Sequence, residues 1–265
     1  MRPDRAPLGL VVPAVGAVAL VALPLVGLLQ RASWSDLGSE LSTPEVGQAL
    51  RLSLECSAGA LVVAIVLGVP LAWVLARLSF PGRSLVRALV LLPMVLPPVV
   101  GGVALLSAFG RGGYLGRHFG SLPWFPLPFT TRGVILAEAF VAMPFLVVTA
   151  EAGLRQMNRS YEEAAATLGA GPWRRFRTVT VPLVTPSLAA GAALCWARAL
   201  GEFGATITFA GNLPGRTQTM PSAIYVTLQT RPEGAIALSL VLLAISLAVL
   251  VGLGGRLFAD HGSAR

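Results

Sequence analysis

Residues 160–182 read SYEEAAATLGAGPWRRFRTVTVP. This polar, basic island lies between two long apolar runs, and its first half has the marks of a short helix. Ser160 is placed to cap that helix, and Glu163, three residues on, is placed to bond back, the pattern of a capping box. Glu162 and Glu163 set negative charge at the positive end of the helix dipole. Ala164, Ala165 and Ala166 favour the helix, and Gly169 supplies a left-handed stop. Gly171 and Pro172 restart a second helix, with proline at the first position, where its missing N–H costs nothing. Trp173 to Val181 continue it and Pro182 limits it. The expected product is a helix-turn-helix knob with an alanine-rich, nearly bare front. An ordinary helical hairpin is the plain alternative.

The surroundings decide what such a knob is attached to. The chain has 265 residues, 55% hydrophobic and 12% charged, with mean hydropathy +0.75. A water-soluble domain usually has about 25% charged residues. Several apolar runs approach 20 residues, about the length that crosses a bilayer, and lipid satisfies backbone hydrogen bonds only within helices or closed barrels. The expected class is an all-α polytopic membrane protein, one transmembrane domain over residues 1–265. The net charge of +8 would fit nucleic acid. The basic residues cluster at the edges of the apolar runs, however, so membrane lipid is the expected partner and nucleic acid is not. All twenty are arginine. A phosphate-binding Walker loop needs lysine, so any ATP hydrolysis that drives this chain belongs to another one.

Six spans are expected: residues 8–29, 50–76, 88–109, 133–148, 185–209 and 234–258. Pro93, Pro97 and Pro98 bend or break the third. Residues 110–132 form a loop whose Trp124, Phe125 and Phe129 suit a membrane surface or a partner, and residues 210–233 form another loop. With the N-terminus inside, the inner segments carry twelve arginines and the outer ones seven. The positive-inside rule then sets both termini and the knob in the cytoplasm.

Charge within a span costs about 2.5 to 3.5 kcal/mol per group on insertion scales. The fifth span has two such groups, Arg198 and Glu202, four apart and so able to pair on one helical face. Gly201 and Gly204 flank them and permit close approach of another helix. The pair reads either as a polar seam along a pathway or gate, or as a structural ion pair. Glu138 in the fourth span reads as a helix-packing hydrogen bond rather than a proton relay; Glu55 and Glu151 lie near span ends, within reach of water. Cys56 and Cys195 read as small buried hydrophobes, without the spacing of a metal site. The two histidines, His118 and His261, fall outside the spans, and neither H-E-x-x-H nor G-x-S-x-G occurs. No catalytic residue, metal site or cofactor is expected.

Glu163-Ala164-Ala165, three residues, Gly169, nine residues, then Val179-Thr180-Val181-Pro182 resembles the EAA motif of ABC-importer permeases, with valines for the usual isoleucine and leucine. The resemblance implies a type I importer fold of six transmembrane helices with a cytoplasmic coupling helix. It implies a permease core over about 50–255 with its EAA loop at 151–184. It also implies that Glu162, Glu163, Ala164, Ala165, Gly169 and Pro172 face a separate ATPase. Residues 198–225, RALGEFGATITFAGNLPGRTQTMPSAIY, and 93–102, PMVLPPVVGG, are similar to the molybdate–sulfate branch, and to molybdate permeases over most of the first stretch. The partners so implied are two ATP-binding subunits, an extracytoplasmic substrate-binding protein and a second copy of the chain, in a bacterial inner membrane. Another oxyanion permease, for sulfate or tungstate, is the alternative. An ion-coupled secondary transporter would leave residues 160–182 unexplained.

Overall fold

A computed structural model describes residues 8–35, 37–122 and 125–259. Along the chain run α1 (Leu8–Gln30), α2 (Leu37–Leu41), α3 (Pro44–Arg77), α4 (Arg83–Val95), α5 (Pro98–Phe109) and α6 (Tyr114–Phe119). Then come α7 (Thr131–Gln156), α8 (Ser160–Thr167), α9 (Pro172–Arg175), a π-helical turn (Phe176–Thr180), α10 (Val181–Leu200), α11 (Gly204–Ala210), α12 (Met220–Thr230) and α13 (Pro232–Ala259). No strand occurs among the described residues.

The centre of the molecule is the bundle of α3, α7 and α10. Every fourth residue of α3 from Cys56 to Ala76 is small and buried: Cys56, Ala60, Ala64, Gly68, Ala72 and Ala76. Such a stripe lets a neighbouring backbone come close, which is how helices gain contact energy where lipid leaves little hydrophobic drive. A side chain at Gly68 would meet Val147 Cγ2 at 3.1 Å. Ala139, Ala142 and Leu146 of α7 fill the other side, with Cys195 and Ala199 of α10. Both cysteines are free and buried, as expected.

Five helices are long and apolar enough to cross a bilayer, and α4 with the segment Pro98–Phe119, which holds α5 and α6, would make a sixth. The expected break in the third span is there. Leu96 precedes Pro97, which precedes Pro98, and proline pushes the residue before it out of the α region. Leu96 and Pro97 accordingly hold ψ of 137° and 133°, and the chain bends by 120° at this break. α4 and α5 are each too short to cross alone at 1.5 Å per residue. Together they follow α7 from end to end: Arg87 of α4 binds Glu151 near its C-terminus, Gly101 of α5 abuts Phe140, and the end of α5 shares a cavity with Thr130.

Several boundaries differ from expectation. Pro182 does not limit the helix that begins at Pro172. That helix runs through the π turn into α10, with the Val181 N–H donating to the Phe176 carbonyl. The wider turn sits just before a proline that has no N–H to offer. The fifth span is not continuous to Phe209; it stops at Leu200 and resumes as α11. The loop expected at 210–233 contains α12, whose Met220 N–H donates to Ser53 Oγ at 2.7 Å. Phe125 is buried rather than on a surface, whereas Phe129 is exposed; Trp124 and His261 lie outside the described residues. Glu151 does not reach water freely. It is buried and bridged by Arg87 at 2.5 Å and Arg155 at 2.7 Å.

Candidate functional site

The knob forms, but not by the expected capping box. The Ser160 side chain makes no cap; the Ser160 N–H donates to Asn158 Oδ1 at 3.0 Å, and the helical bonding begins at the Arg159 carbonyl. Asn158 therefore caps the segment, two residues early. The stop is as read. Gly169 has φ of +81°, and the Ala170 N–H closes back onto the Ala165 carbonyl at 3.0 Å, the wide closure of a left-handed helix end. Pro172 occupies the first turn of α9 behind Gly171. The result is a helix of eight residues that buries none of them.

The residues expected at the docking face divide into two groups. Glu163, Ala164 and Gly169 are exposed, with open space where a Gly169 side chain would stand. Ala165 is half-buried and Pro172 exposed. Leu168 and Trp173 are also exposed, Leu168 at 88%, so the bare alanine front is rimmed by two large apolar side chains. Glu162 turns the other way. Its Oε2 lies 3.2 Å from Arg77 Nη2, and its Oε1 accepts the Thr180 hydroxyl at 2.5 Å. The sequence alone had no signal for that contact: Arg77 lies 85 positions upstream and Thr180 is 18 downstream.

The polar pair in the membrane is made, with a geometry that helical spacing did not foresee. Arg198 Nη1 lies 2.6 Å from Glu202 Oε2, but Glu202 is past the end of α10. Its second oxygen, Oε1, accepts the Ala205 N–H at 2.9 Å, satisfying an otherwise orphaned donor in the first turn of α11. One carboxylate, 1% exposed, thus serves a guanidinium and a helix start. Gly204 is where α11 touches α5: a side chain there would meet Pro98 Cβ at 2.8 Å. Gly201 is exposed, and a Cβ there would meet only its own helix. Glu138 is buried in α7, and its Oε2 lacks the packing hydrogen bond expected of it. Arg51 and Glu55 form an ion pair of 2.5 Å on the exposed face of α3.

These features match a known architecture. Residues 64–260 fit the family described as binding-protein-dependent transport system inner membrane component. The chain belongs to that family. This inner membrane component is 43% identical to the molybdenum transport system permease protein ModB of Mycobacterium tuberculosis, over 96% of each chain. It is 43% identical to Escherichia coli ModB, covering 79% of this chain and 91% of that one. It is also 38% identical to the E. coli sulfate transport system permease protein CysT, over 87% and 84%. Its fold is that of a bacterial ABC transporter that imports the acidic polysaccharide alginate, with a TM-score of 0.77 at 15% identity over 97% and 96% of the chains. The MetNI methionine ABC transporter matches with a TM-score of 0.56 at 16% identity, over 89% and 97%. This inner membrane component is therefore a multi-pass transport protein of the ABC importer fold.

Proposed function

We propose that this chain is the membrane-spanning subunit of an ATP-driven molybdate importer. The observation that carries the reading is the 43% identity to a molybdenum permease along 96% of both chains. In this reading two copies line the pathway, and two ATP-binding subunits seat the knobs. An extracytoplasmic binding protein delivers the anion to the outer loops, and lipid surrounds the apolar faces. The chain carries no catalytic step of its own. Hydrolysis on the partner subunits moves the knobs, and the membrane helices alternate between outward and inward openings.

Several physical features support the roles of individual residues. Glu163, Ala164, Ala165, Gly169 and Pro172 lie on α8, the turn after it and the start of α9, where the small residues leave a bare patch beside the exposed Leu168 and Trp173. Arg198, Gly201, Glu202 and Gly204 lie at the interruption between α10 and α11. Interrupted membrane helices commonly sit where a transport pathway is lined or gated. The arginine count supports a cytoplasmic knob and cytoplasmic termini.

The sulfate reading has support of its own in the 38% identity to a sulfate permease. Uptake into proteoliposomes containing the chain, its ATP-binding subunit and its binding protein decides between them. Molybdate accumulation that depends on ATP and is not displaced by excess sulfate is the expected result. Sulfate uptake at equal or higher efficiency assigns the sulfate role, and uptake with no ATP-binding subunit present overturns both.

A further inference from the structure

We infer that Glu162 is a positioning residue for energy coupling: with Arg77 and Thr180 it forms a joint that fixes the coupling helix α8 to two membrane helices. The inference rests on the proposed importer role. Its structural half is separately testable.

Little else holds α8. The helix buries no residue of its own, so it has no hydrophobic anchor of the kind that holds most surface helices. The Asn158 cap and the Thr167 hydroxyl bond to Ala164 both stay within the segment. Among the described residues, Glu162 is the only α8 side chain with a polar bond to another element. That one carboxylate reaches two elements. Arg77 is the last residue of α3 and Thr180 the last of the π turn that feeds α10. The joint is also sheltered. The Arg77 and Glu162 side chains are 7% and 19% exposed, and Thr180 is buried. Shelter from water strengthens such contacts relative to a surface pair.

The mechanical consequence follows from where α3 and α10 lead. α3 carries the small-residue stripe of the central bundle, and α10 ends at Arg198 and the break before α11. A displacement of α8 passed on only through the short connections Met157–Arg159 and Gly169–Gly171 would reach α7 and α9 but not the end of α3. A displacement transmitted through the Glu162 carboxylate moves the ends of α3 and α10 together. The neighbouring acid, Glu163, is exposed and free to meet a partner, so the two adjacent glutamates have separate tasks.

The test uses three variants that approach the joint from different elements: Glu162→Gln, Arg77→Gln and Thr180→Val. The reversed pair Arg77→Glu with Glu162→Arg serves as rescue. In the full-length chain in nanodiscs, spin labels at Thr167→Cys and Ser79→Cys, with Cys56 and Cys195 replaced by alanine, report the spacing of α8 from the end of α3. The expected result is one narrow distance in the parent chain, a broad distribution in each of the three variants, and a narrow one again in the reversed pair. In the complete complex, transport per ATP is expected to fall about tenfold in Arg77→Gln and Thr180→Val, a coupling loss of ordinary size. Co-purification of the ATP-binding subunit is expected to persist, because neither residue lies on the exposed front. Unchanged label distances in all three variants would overturn the joint. Impairment of Glu162→Gln alone, with the other two at parental stoichiometry, would overturn its coupling role and place Glu162 at the partner. If the parent complex itself moves no cargo with ATP, the importer reading fails while the label distances still judge the joint.

Discussion

Glu202 satisfies two demands at once, and its substitutions separate them. Arg198→Ala strands the carboxylate, which is 1% exposed. Because Arg198 keeps 30% of its side chain exposed, the loss is expected at about 2 to 3 kcal/mol, at or below the range for a fully buried pair. Adding Glu202→Gln removes the stranded charge and leaves an oxygen for the Ala205 N–H. The double variant should therefore melt higher than Arg198→Ala in a detergent thermal scan. Equal melting of the two would show that the pair does not matter. Gly102 leaves no room for a side chain. A side chain there would lie 2.6 Å from Thr208 Cβ and 2.9 Å from the Ala205 carbonyl oxygen. A backbone oxygen cannot rotate away, so Gly102→Ala is expected to cost about 1 to 3 kcal/mol, as overpacking does, readable in the same scan.

The knob behaves as an element whose folding and docking can be separated. Gly169 lies in the left-handed region with φ of +81° and has open space around it. Gly169→Asp puts charge and bulk on the outer face, where it meets no other residue, but a side chain at this φ is strained and costs about 1 kcal/mol. The expected outcome is a chain that inserts, melts only slightly below the parent and co-purifies poorly with the proposed ATP-binding subunit; parental co-purification would remove that face from the proposed docking surface. Asn158→Ala acts differently. It deletes the cap on the Ser160 N–H and should cost about 1 kcal/mol of local stability, seen as faster amide exchange over residues 160–163. Ser160→Ala should leave those amides protected, since its side chain caps nothing here.

The central bundle and the first helix differ in how they are held. α1 has exposed leucines and valines nearly throughout, among them Leu10, Leu20 and Leu23, and its main contact in this chain is with α13. Deleting residues 8–30 is expected to leave the melting transition of α3–α13 unchanged, measured on the purified chain in detergent. Topology is the other property of the whole. A single cysteine at position 165, with Cys56 and Cys195 replaced, should react with a membrane-impermeant reagent only after the membrane is opened. Labelling in intact cells would invert the orientation and take the knob away from ATP.

Composition and run length determined that the chain is helical and crosses a bilayer, because the need to bury polar backbone in lipid leaves no other solution for such runs. Local signals fixed the left-handed stop at Gly169, the proline start of α9 and the break at Leu96–Pro97, since each depends on the φ/ψ limits of one or two residues. Tertiary structure alone decided that Glu162 turns inward to Arg77 and Thr180, that Glu202 leaves its helix to hold Ala205, and that α12 fills an apparent loop against Ser53. Those choices depend on which distant donors and acceptors the folded bundle brings within about 3 Å. The chain order of one sequence does not encode that proximity in any local pattern.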